Sequence, residues 1–126
     1  MAKNNVTFEP NKYYVNENKQ SVTYAIKAHG ILFVGTAKAR GGDAFDVERG
    51  QAIAHIKASI AQRKYDLMLT RQFIDFLKDS EKIANYKNGG HSSPHFMHAL
   101  QEATEEMKAQ LAHIRDLKAR LATYAE

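Results

Sequence analysis

The residues with the widest chemical repertoire cluster late in the chain, in His91-Ser92-Ser93-Pro94-His95-Phe96-Met97-His98, with Glu102 close behind. On a helix His95, His98 and Glu102 share a face, since they stand three and seven positions apart. Two imidazoles and a carboxylate on one face form a donor set for a divalent metal. No cysteine and no second cluster supports that set. An exposed helix start with unrelated histidines is the simpler account, so no metal and no cofactor is assigned. Ser92 and Ser93 neighbour histidines but lie in no Gly-x-Ser-x-Gly elbow. Glu105 and Glu106 are adjacent, and adjacent helix positions point apart. Gly30, Gly35, Gly41 and Gly42 form neither a dinucleotide fingerprint nor a P-loop. No catalytic residues are assigned, and an enzyme is not expected.

Anion binding has better material. Lys38, Arg40, Lys57, Arg63 and Arg71 fall near a sheet-to-helix crossing or along the first helix. A guanidinium fork matches two phosphate oxygens at once, and aromatic faces suit nucleobases. A later loop adds Asn88, Gly89, Gly90 and His91, beside Tyr86 and Phe96. Small residues, amides and aromatics together can read a flat anionic ligand, and an oligomer interface is one place to do so. Taken singly, each cation is most simply a solvated surface charge, and Phe96 a contact between helix ends.

These side chains stand on a chain of 126 residues, a length that fits one domain. Its 18 Lys and Arg exceed 14 Asp and Glu by four. Residues 1–90 hold the whole excess, and residues 91–126 are slightly acidic. A mild basic excess steers anionic partners but is weak support for DNA binding. Without cysteine there are no disulfides, no thiolate nucleophile and no Cys-ligated zinc, which fits a reducing compartment. The longest apolar run is Ile31-Leu32-Phe33-Val34, far short of the roughly 20 residues of a membrane span. The first residues lead into no apolar signal region. A soluble, cytoplasmic protein with no membrane partner is expected.

The elements that must position these residues follow from periodicity. Tyr13-Tyr14-Val15, Val22 to Ile26 and Ile31 to Thr36 are rich in aromatic and β-branched residues, which suits strands. Asn16 and Asn18 suit the first turn, and His29-Gly30 breaks the second pair. Val22, Tyr24 and Ile26 share one face of their strand. Asp43 or Asp46 is the expected N-cap of a long helix. Ile53, Ile60, Leu67 and Ile74 then recur every seven residues, with a bend possible near Arg63 or Thr70. Ser93-Pro94 restarts a helix, in which Leu100, Met107, Ile114 and Leu121 again recur every seven. The expected fold is α+β: a small N-terminal antiparallel sheet of about three strands, then two long helices in an antiparallel hairpin. As one domain over 1–126 it divides into a flexible lead-in (1–12), sheet (13–42), long helix (43–85), Gly loop (86–93) and C-terminal helix (94–125). A small sheet cannot cover both helices, so a homo-oligomer is expected.

Gly35-Thr36-Ala37-Lys38, then Asp43-Ala44-Phe45-Asp46, then Gly50 to Ala58 with Ile53-Ala54 and Lys57-Ala58, resembles a signature of small phage and prophage proteins. Those chains read Gly-x-Ala-Lys, Asp-x-Phe-Asp, then Gly-x-x-Leu/Ile-Ala and Arg-Ala. The match covers residues 35–58. Lys57 stands where Arg is usual, and Ala39-Arg40-Gly41-Gly42 replaces a polar or Pro-containing link. Structurally the motif reads as an Asp cap, Phe45 stapled onto the sheet, and Gly50 with Ala54 packed close to a strand. With a small sheet and two helices near this length, the chain resembles the anti-Thoeris sponge family. The resemblance implies a non-enzymatic oligomer that sequesters cyclic ADP-ribose-type signals or cyclic oligonucleotides. It also implies that Lys38 and Lys57 contact phosphate, with helix arginines such as Arg71 and Arg115, and aromatics such as Phe96, as further readers. The competing reading is a phage-derived module that inhibits a host protein through its helical hairpin. Weak nucleic-acid binding stands third.

Overall fold

In this computed structural model the described residues are 11–39, 44–87 and 94–124, without the side chains of 83–87. Three strands form one antiparallel sheet in the order β1 (Tyr13–Asn16), β2 (Ser21–Ala28), β3 (Ile31–Lys38). Two helices follow, α1 (Val47–Lys87) and α2 (Pro94–Ala122). The α+β architecture of the sequence reading is therefore the observed one.

The two strand connections use different chemistry. His29 and Gly30 both take positive φ, 56° and 72°, the backbone of a type I′ turn that matches strand twist. Between β1 and β2 the side chain of Asn16 accepts a hydrogen bond from the Lys19 amide at 3.0 Å. The positive φ there falls on Gln20, at 50°, and on neither asparagine. Asn16 serves as a side-chain acceptor instead. Asn11, expected in the lead-in, donates its amide to the Ala25 carbonyl at 2.8 Å.

Cross-strand register sorts the side chains into two faces. Val15, Val22 and Ala37 stand in one row, and Tyr13, Tyr24 and Gly35 in the next. This inner face carries the core: Val22, Tyr24 and Ala37 are buried together with Ala54 and Ala58 of α1, with Ile26, Phe45 and Ile53 against them. The helix arrives very close. A methyl group on Gly35 would lie 2.2 Å from the Ala54 carbonyl oxygen and 2.5 Å from the Ala58 nitrogen. A methyl on Gly50 would meet Val22 Cγ2 at 2.7 Å. Gly50, Ala54 and Ala58 recur every four positions, one helix face, so small residues on both sides let backbone rest on backbone.

The start of α1 is fixed by Asp46, whose carboxylate accepts the Arg49 amide at 3.2 Å. Of the two expected caps this is the one seen, and the helix consequently begins at Val47. Asp43 lies outside the described residues, as do residues 1–10, the Gly41-Gly42 crossing and residues 88–93 of the expected loop. The helix runs unbroken past Arg63 and Thr70. Pro94 opens α2 as expected of an N1 proline. At the other end Thr123 and Tyr124 donate to Arg120 and Leu121, three residues back, which tightens and ends the helix short of residue 125.

The residues gather into two compact units. One comprises the chain up to Gln62 together with Asp116 onwards, the other Arg63–Arg115. In the first, Ile56 and Ile60 of α1 bury against Leu117 of α2, joined by Leu121 and Tyr124. The Arg49 guanidinium donates to the Tyr124 carbonyl. Early α1 thus meets late α2, the antiparallel pairing that the heptad seams imply. In the second unit Leu67, Ile74, Ala103 and Ile114 are buried.

Candidate functional site

The outer face of the sheet is set by the same register. Asn16, Ser21 and Lys38 form one row, and Tyr14, Thr23 and Thr36 the next. The alternation of strands makes this inevitable once Val22 and Tyr24 point inward. Thr23 and Thr36 bring their hydroxyl oxygens to 3.1 Å. These rows, together with the β1–β2 turn, line an open groove of about 790 Å3. Its cations are Lys19 and Lys38, and its single carboxylate is Glu17. Lys38 is the last residue of β3, so its ammonium stands where the sheet ends.

The remaining residues singled out from the sequence distribute differently. Lys57 is exposed, and its ammonium donates to the Thr36 main-chain carbonyl at 3.1 Å. It therefore has a structural partner that the sequence did not disclose. It covers a β3 edge carbonyl, the group an edge strand leaves open. Arg71 and Arg115 are exposed and Phe96 is half-buried, all three in the second unit. Arg40, Asn88 and His91 lie outside the described residues. The structure thus places Lys38 in a groove, gives Lys57 a main-chain acceptor, and leaves the helix residues in another unit.

The histidine cluster resolves into a pair. His98 Nε2 lies 2.8 Å from Glu102 Oε1, on an exposed stretch of α2. Among the described residues no three His, Asp or Glu side chains gather as a metal site. His55, by contrast, packs its ring against Tyr24 at a 41° tilt with centroids 4.7 Å apart, and Tyr13 meets Tyr24 from β1 at 4.5 Å.

Sequence reasoning missed Lys19, Tyr14, Thr23 and Thr36 as groove residues. The available signal is parity: Thr23 alternates with Val22 and Tyr24, so it lies on the other face, which every residue paired with it shares. Among the described residues no helix is long and apolar enough to cross a membrane. Compared with protein families, curated proteins and solved structures, the chain matches none.

Proposed function

We propose that the protein is a non-enzymatic anti-defence protein of phage or prophage origin, acting in the host cytoplasm. In this reading it sequesters a cyclic nucleotide or cyclic ADP-ribose-type signal, and works as a homo-oligomer. The observation that carries it is the placement of Lys38, the lysine of the Gly-x-Ala-Lys motif, on a groove of about 790 Å3. That volume lies in the range of small-molecule sites, roughly 300–1,000 Å3. Amide, hydroxyl and ammonium groups beside a tyrosine ring suit an anionic, hydroxylated, partly flat ligand.

Binding of this kind raises the melting temperature by mass action. A ligand at about 100 times its Kd contributes roughly 2.7 kcal/mol. Thermal unfolding with cyclic ADP-ribose isomers and cyclic di- and trinucleotides is expected to show such a rise for at least one of them, and a smaller rise in Lys38→Ala. A melting temperature unmoved by all of them would sink the reading.

One observation also supports a second reading, a protein-interaction module. Leu69, Phe73 and Phe76 on α1 are 37%, 48% and 64% exposed. Spaced four and three apart, they form a stripe on the side of α1 away from buried Leu67 and Ile74. Such a stripe suits a foreign helix as well as a second copy. Sedimentation separates the two: a closed oligomer favours self-assembly, and a stable monomer favours a heterologous partner.

A further inference from the structure

The β1–β2 turn brings a second cation to the groove. The Asn16 side chain fixes the Lys19 amide, and the Gln20 amide donates to the Glu17 carbonyl at 3.2 Å. The carbonyl of the same Gln20 accepts the Ala39 amide at 2.9 Å. That bond ties the turn to the end of β3, and Lys19 and Lys38 each precede one of its two residues. Both line the groove. Among the described residues neither ammonium has an ion-pair partner, and the one acid beside them, Glu17, pairs with neither. Two like charges lining one groove repel. An anion seated between them turns that repulsion into two charge-assisted contacts.

We propose that Lys19 is the cation that works with Lys38, and that together they hold a phosphate group of the ligand. This rests on the binding reading above and adds to it a second residue that holds the phosphate, Lys19. Two ammoniums less one carboxylate leave a single net positive charge, which suits a phosphodiester or one end of a pyrophosphate. The Thr23–Thr36 hydroxyl pair stands in the next row. Its mutual bond uses one hydrogen, so the second hydroxyl hydrogen and the remaining lone pairs are available to sugar hydroxyls. Lys57 is not among the residues that line the groove, and its ammonium donates to the Thr36 carbonyl.

Calorimetric titration of the full chain with cyclic ADP-ribose, AMP and adenosine tests this. Lys19→Ala should weaken the phosphorylated probes about tenfold, the scale of one lost charged contact near a surface, and Lys19→Glu more, with adenosine unaffected. Thermal melts without ligand should be unchanged, since Lys19 is exposed. If Lys38→Ala or Lys57→Ala weakens binding while Lys19→Ala binds as the parent does, the Lys19 assignment is overturned and the binding reading stands. If the parent chain binds neither these probes nor any of the cyclic di- and trinucleotides, both fall.

Discussion

At the residue scale the molecule depends most on places where a side chain is missing. Gly35 lets the α1 backbone lie on β3, and a methyl group there meets main-chain atoms that cannot rotate away. Gly35→Ala should therefore cost about 3 kcal/mol in urea unfolding, the upper range for overpacking. Gly30→Ala meets open space but keeps a φ of 72°, so about 1–2 kcal/mol is expected from the left-handed backbone alone. Equal losses at the two positions would contradict the close contact. A different residue makes stability fall at alkaline pH. Burial, and secondarily the Tyr24 hydroxyl, pushes the Tyr13 phenol above its ordinary value of 10.0. The folded chain holds that proton more tightly than the unfolded chain does. The stability it contributes is full below a pH of about 10 and is lost as pH rises through the folded value. Tyr13→Phe should flatten that loss in melts recorded from neutral to alkaline pH. An identical decline in the variant would assign it elsewhere.

At the element scale, α1 carries apolar side chains on opposite sides along its second half. Leu67 and Ile74 are buried, while Phe73 and Phe76 are exposed. Replacing both phenylalanines with glutamate should abolish self-association in sedimentation while leaving helix content intact. An oligomer that survives the change would place the interface elsewhere. Much of this was legible beforehand, because periodicity is a local property. The two heptad seams, the shared face of Val22 and Tyr24, a cap at Asp43 or Asp46 and the small face of Gly50 and Ala54 can all be read from the residues. The candidate site was less legible. Lys38 stood out as a cation at a strand end, but its groove depends on a register that sets residue 14 beside 23 and 36. The two-residue His29-Gly30 turn fixes the pairing of 23 with 36, but spacing alone does not fix the length of the β1–β2 turn that pairs 14 with 23. Nor could it show that Lys57 bonds a carbonyl 21 residues away. The helix residues grouped with Lys38 were linked by chemistry alone, and Arg71, Phe96 and Arg115 belong to the other unit.

At the scale of the whole molecule, a basic excess confined to the first 90 residues acquires a location. Lys19 and Lys38 put part of it on the sheet's outer face, the face opposite the one α1 packs upon. A protein that only retains its ligand needs affinity and copy number, not a reaction site, and self-assembly through the α1 stripe would multiply the grooves. The central claim is retention. Purified protein incubated with cyclic ADP-ribose isomers and cyclic di- and trinucleotides, washed and then heated, should release one of them chemically intact and near one per groove, and Lys38→Ala should release far less. Recovery of a converted product would make the protein an enzyme, and recovery of nothing from any of these ligands would contradict the account.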